Sequence, residues 1–196
     1  AQFHYIVAIR ADAIGPATDL SAFDRVTAEY DEVFRFFGRI TWSLSERAGN
    51  HYFAAVSLQR RAGDRFPEVF PDFERRLLAS LADYREALPT DPNAIPIYIA
   101  RAQCALFRAR LDAGTMNPAE AGRLIEENQA LLREVLARNP HDPRLPLAMS
   151  RNLALAGKRA EAQSMLEEAV ASGRYAGQDS ALAEFAREVE KLKSGK

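Results

Sequence analysis

Apolar residues fall three and four apart through almost the whole chain, and the pattern restarts after breaks marked by glycine and proline. That spacing collects apolar side chains on one face of an α-helix and would scatter them over both faces of a strand. Alternating Val/Ile/Thr-rich runs bounded by Asn-Gly or Asp-Gly turns, the signature of hairpins, are absent. The chain is therefore expected to be all-α. Ser21 is expected to cap a helix carrying Phe23, Val26, Tyr30, Val33, Phe34, Phe37 and Ile40 on one buried apolar face. Before it, a short helix over about residues 3 to 13 is expected to break at Gly15-Pro16, because proline disfavours helical geometry at the preceding residue.

From about Asn50 the breaks fall into a rhythm of helix pairs. First helices are expected to end at Gly63, Gly114 and Gly157, and second helices at Leu88-Pro89-Thr90-Asp91-Pro92, at Arg138-Asn139-Pro140 and at Ser172-Gly173. DRFPEVFP reads as an insertion between Gly63 and the second helix of the first pair. A last helix, started by Asp179 or Ser180 and running to about Lys193, places Leu182, Phe185, Val189 and Leu192 on one side, as a terminal cap would.

The last pair carries the most specific pattern. Read from Pro143, PRLPLAMSRNLALAGKRAEAQSMLEEAVAS places Ser150, Leu153, Gly157, Ala162, Leu166 and Ala169 at the signature positions of a tetratricopeptide repeat, and the segment resembles that family. Small residues at 150, 162 and 169 let neighbouring helices approach closely, while Leu153 and Leu166 fill the space between them. Leu132, Val135 and Pro140 repeat the second-helix pattern, and Tyr84, Ala87 and Pro92 repeat it again in YREALPTDPNA. The resemblance covers about 46 to 174 and implies a short right-handed TPR-like solenoid of about three helix pairs. An N-terminal helical extension over 1–45 and a capping helix with tail over 175–196 would flank it. An unrelated helical bundle is the alternative.

Composition excludes several classes of function. An apolar fraction of 47% with 27% charged residues is that of a folded globular chain, and a net charge of -1 gives no overall attraction to nucleic acid or an anionic membrane. No apolar run approaches the roughly 18 residues that a membrane-spanning helix requires. The chain is expected to be soluble, with a lean toward an extracytoplasmic or membrane-peripheral setting because it begins at Ala1 without Met. One cysteine, Cys104, cannot form an internal disulfide and is expected to serve as a small core hydrophobe. His4, His51 and His141 lie far apart, and phosphate-binding loops, zinc motifs and nucleophile elbows are missing. Glu126-Glu127 and Glu167-Glu168 diverge by about 100° on their helices and read as solvated faces. No catalytic, metal or cofactor role is expected of any residue, and the chain is expected not to be an enzyme.

Charge divides between the helices of each pair. Segments 50–61, 95–111 and 143–159 contain Arg60, Arg61, Arg101, Arg108, Arg110, Arg144, Arg151, Lys158 and Arg159 and no acid, whereas the second helices carry the glutamates. In the family this chain resembles, first helices line a concave surface that holds a peptide, so the resemblance implies a basic groove. Its wall would be Arg60 from the first pair, Ile99, Gln103 and Leu106 from the middle one, and Arg144, Leu147 and Arg151 from the last. Arginine forks and apolar anchors suit an acidic peptide segment or C-terminus. Pairing of these arginines with the acidic helices behind them is the competing expectation. Nucleic acid is not favoured, because apolar residues interleave the arginines and few aromatics accompany them. The expected function is a protein-interaction scaffold or adaptor. The alternative is an assembly subunit of a larger complex, which an exposed aromatic patch over residues 23–42 would favour. Trp42 is expected to pack the extension against the first repeat, with partner anchoring as its other use.

Overall fold

The computed structural model describes residues 20–194, and within them the chain is helical with no strand. The short helix expected over 3–13, and His4 with it, lie outside the described residues. The chain divides into two compact units that meet in sequence at Ile95–Pro96.

The first unit contains α1 (Ser21–Phe37), α2 (Thr41–Ala62) and α3 (Phe66–Ala87). Ser21 is the first helical residue, with Leu20 in the capping position, so the expected serine cap is displaced by one residue. Phe23, Val26 and Tyr30 of α1 are buried as expected, but Phe37 and Ile40 are exposed. The apolar stripe runs past the end of the helix: α1 stops at Phe37, and Ile40 sits in extended backbone before α2. The pairing of α2 with α3 dominates the unit. Ala48, Ala54 and Ala55 are fully buried on α2, as are Leu77 and Ala87 on α3, and small side chains of this kind let paired helices approach closely.

DRFPEVFP is not a loop. Gly63–Arg65 form a single tight turn, and Phe66 onward is already α3. Pro67 lies in the first turn, where a missing N–H costs nothing, whereas Pro71 removes one bond from the ladder. Packing offsets that loss: Phe66 meets Phe73 edge-on with ring centroids 5.1 Å apart and meets Phe70 at 6.0 Å. Both α2 and α3 consequently reach 22 residues, against 12 and 13 for the last helix pair of the chain.

The second unit contains α4 (Ile95–Asp112), α5 (Pro118–Arg138), α6 (Arg144–Leu155), α7 (Arg159–Ala171) and α8 (Asp179–Ser194). Asn117 caps α5 by accepting a bond from the Glu120 N–H at 2.8 Å. Ile97 and Ala100 of α4 pack with Leu132 and Val135 of α5 and Leu145 and Met149 of α6. Gly157 takes a left-handed φ of 79° between α6 and α7, and the Lys158 N–H returns to the Leu153 carbonyl at 2.9 Å. The two helices then cross tightly: Ser150 and Ala162 are both fully buried, and the Ser150 hydroxyl donates to the Ala162 carbonyl at 3.2 Å. Phe185 and Val189 of α8 close over Leu147, Leu166 and Tyr175, with Leu182 and Leu192 at the margin. Among the described residues no helix is long and apolar enough to cross a membrane.

Candidate functional site

The residues expected to line a basic groove are largely engaged elsewhere. Arg60 lies in the first unit, exposed in the last turn of α2; the others belong to the second unit. Ile99, Leu106 and Leu147 are buried, so none of the three apolar anchors is offered to a ligand. Leu147 packs against Leu166, Tyr175 and Phe185, a core separate from the one that takes Leu145 and Met149, because two residues along a helix turn a side chain by about 200°. Gln103 is half-buried, and its Oε1 finds no hydrogen-bond partner among the described residues.

The two arginines of the last pair are exposed in part but already paired. Arg144 grips Asp142 through Nε (2.9 Å) and Nη2 (2.6 Å), and its Nη1 donates to the Tyr98 hydroxyl at 2.8 Å. Burial acts to raise the Asp142 pKa, yet the bonds from Arg144 outweigh it and hold the carboxyl below its ordinary value. Arg151 donates to Glu184 and Glu188 of α8, each at 3.1 Å. The complementary acids therefore lie in the turn before α6 and on the last helix, not on the second helices of the pairs. Cys104 is half-buried, 3.9 Å from the Arg151 carbonyl, and burial pushes its thiol up to about 11.

A different feature stands open to solvent. At the elbow between α1 and α2, Phe36 is 71% exposed, Phe37 75%, Ile40 48% and Trp42 49%. Four large apolar side chains within seven residues surround Gly38, whose φ of 76° and ψ of 175° belong to a region that side chains rarely adopt. The Gly38 N–H still returns to the Phe34 carbonyl at 3.0 Å, so the turn is specified rather than frayed. Trp42, expected to be packed, stands half-exposed because α2 begins at Thr41 and its inward stripe starts with Ser43 and Leu44.

An ionic clamp holds this elbow from beneath. Asp83 of α3 is buried, its side chain 3% exposed, and accepts two bonds from Arg47 of α2, from Nε at 2.8 Å and Nη2 at 2.7 Å. Arg47 also pairs with Asp31 of α1. Arg39, in the elbow, donates to Glu86 at 2.7 and 2.8 Å and to Asp83 at 3.2 Å. The bond from Arg39, with its charge, holds the Glu86 carboxyl below its ordinary value. Both guanidinium groups lie by the Phe34 ring, Arg47 at 4.5 Å and Arg39 at 5.1 Å from its centroid. One buried carboxylate thus ties the elbow and two helices of the unit together, and the resulting pairs fix the direction in which residues 36–42 emerge.

Behind the clamp the interior remains polar. Arg76 of α3, itself buried, bonds Asp72 at 2.9 Å and Asp24 of α1 at 2.9 Å. Asn50 donates to the Phe23 carbonyl at 2.8 Å and to the Thr27 hydroxyl at 2.9 Å. His51 is buried, and burial pulls its pKa from 6.5 down to about 4, against the pull of Asp83. The Tyr30 hydroxyl, His51 Nδ1 and Ser80 Oγ find no partner among the described residues. No group of three His, Cys, Asp or Glu side chains among the described residues gathers as a metal site requires. The signal for the clamp was present in the sequence as polar residues on the inward stripe of α3, at Arg76, Ser80 and Asp83 between Phe73 and Ala87. Arg39 and Arg47 carried no such signal.

No family model, no curated protein and no solved structure matches the chain.

Proposed function

We propose that the chain is a protein-interaction module that docks through the aromatic elbow of residues 36–42, in the manner of an assembly subunit. The single observation behind this reading is the exposure of Phe36, Phe37, Ile40 and Trp42 around one clamped turn. Water-exposed aromatics of this size are costly unless a partner covers them, and aromatic anchors dominate the energetics of known interfaces. The clamp adds preorganisation. Side chains emerging from a turn held by Arg39, Arg47 and Asp83 lose little freedom on binding, so more of the burial free energy appears as affinity.

The tetratricopeptide-like reading belongs in this proposal to the second unit, where it is supported by the tight Ser150–Ala162 crossing and the glycine turn at 157. There the helix pairs act as a scaffold. A peptide-binding basic groove is the weaker reading, because Ile99, Leu106 and Leu147 are buried and Arg144 and Arg151 spend their donors within the chain. No catalytic role is proposed.

The test is a pull-down from source-cell lysate with three proteins of verified helicity and stability: wild type, Phe37→Asp/Trp42→Ser, and Arg144→Glu/Arg151→Glu. A partner lost only by the elbow variant supports the reading. A partner lost only by the arginine variant moves the contact to the groove, and capture that survives both variants refutes the elbow.

A further inference from the structure

Three features compete for a further role: the polar interior of the first unit, the Arg144–Asp142–Tyr98 cluster, and the elbow. The interior groups are sealed between helices, and the Arg144 cluster satisfies its own donors. The elbow alone presents unused binding surface, and its size and charge discriminate among occupants.

We infer that the elbow is a self-association surface, joining two copies of this chain about a two-fold axis. The inference rests on the docking reading above and names its partner. Applied to side chains that bury about 150–250 Å² when fully covered, the exposed fractions of the four residues amount to roughly 350–600 Å² per copy. A two-fold contact uses the patch twice, giving roughly 700–1,200 Å² before the flanking helix ends are counted, which is the size of weak, transient interfaces. That area fits a weak, reversible dimer and falls short of an obligate one.

Charge selects the same occupant. The rim carries Glu32 with Arg35 and Glu86 with Arg39, each acid paired to a base, and the exposed Asp31 is neutralised by Arg47 beneath it. No cationic excess attracts an anionic bilayer, and no excess of either sign attracts a charged peptide. A rim bearing both signs is instead self-complementary under two-fold symmetry, where Glu32 of one copy can face Arg35 of the other.

The experiment is sedimentation equilibrium of the full chain from about 1 to 100 µM, the range in which a micromolar dimer forms. The expected result is a mass rising from 21.8 kDa toward twice that value, with a blue shift of Trp42, the only tryptophan. Phe37→Asp should weaken the association at least about tenfold, a loss of about 1.4 kcal/mol or more, and Phe36→Ser provides a second probe if the first variant loses helicity. Val170→Asp, at a 48% exposed apolar residue of the other unit, should leave the association unchanged. A mass of 21.8 kDa throughout, an association that survives both elbow variants, or equal loss with Val170→Asp would overturn the inference. So would a chain that stays monomeric but binds phosphatidylcholine–phosphatidylserine vesicles through Phe37. If the chain is monomeric while the elbow variant still loses its partner in the pull-down, self-association fails and the docking reading stands. If neither assay responds to the elbow, both fail.

Discussion

Replacing Asp83 by leucine should separate what the clamp contributes from what mere burial contributes. In the native chain Arg47, its side chain 13% exposed, points two donors at Asp83 and one at Asp31. Removing the acid leaves a mostly buried guanidinium with a single, exposed partner. Breaking a fully buried pair in this way costs about 3–5 kcal/mol; because Arg47 keeps Asp31 and some solvent, about 2–4 kcal/mol is expected here. The double variant Arg47→Met/Asp83→Leu removes charge and counter-charge together, and its stability should return to within about 1 kcal/mol of wild type, since desolvation of the pair offsets most of its attraction. Urea unfolding followed in parallel by circular dichroism and Trp42 fluorescence measures both quantities, and the tryptophan reports the first unit alone. Fluorescence of the folded double variant should also show a more mobile, more solvated Trp42, because Arg39 retains Glu86 but loses Asp83. The reasoning is refuted if Asp83→Leu costs under about 1 kcal/mol, or if the two single losses simply add in the double variant.

Stability of the first unit should fall as the pH drops from 6.5 to about 4, because the unfolded chain binds a proton at His51 that the folded chain refuses; the contribution reaches about 3 kcal/mol, and His51→Gln should flatten that interval in a pH series of urea midpoints. Gly38→Ala meets no neighbour but must hold a conformation nearly closed to side chains, so a loss of about 1–3 kcal/mol with a shifted Trp42 emission is expected; an unchanged melting temperature would remove the strained turn from the account. Ser150→Leu should overpack the crossing of α6 and α7 by about 1–3 kcal/mol, read by thermal unfolding, whereas a neutral result would mean that the helices are not in close contact there.

The legible part of the fold is the part written in local chemistry. Gly63, Gly114 and Gly157 end helices as expected, and the small residues at 150 and 162 meet at a crossing. Helix length is legible only in part: DRFPEVFP reads as an insertion, yet Pro67 occupies a position where proline is tolerated, and three phenylalanines in mutual contact, two pairs edge-on and one stacked, surround the turn at Pro71. The elbow was harder. Phe37 and Ile40 continue the spacing of a buried face, so periodicity alone assigns them to the core, and their exposure depends on where α1 stops. The groove residues pose the opposite difficulty. Arg144 and Arg151 stand out in the sequence as cations on helices without acids, but their partners Asp142 and Glu184 sit two and thirty-three residues away, and side-chain charge does not state which acid it will meet.

Clamp and elbow explain each other. A buried carboxylate with two arginines is a poor device for stability alone, since a well-packed apolar trio would serve about as well. Its use lies in geometry: Arg39 and Arg47 approach Asp83 from the elbow and from α2, and both stack on Phe34, so the turn cannot rotate without breaking several bonds together. Fixed directional bonds hold residues 36–42 in one orientation, which is what the docking surface proposed above requires. The same logic accounts for the order of costs: the chain tolerates desolvated charge in its interior and exposed aromatics on its surface, two unfavourable features that become consistent once the second is the binding face and the first is its mounting.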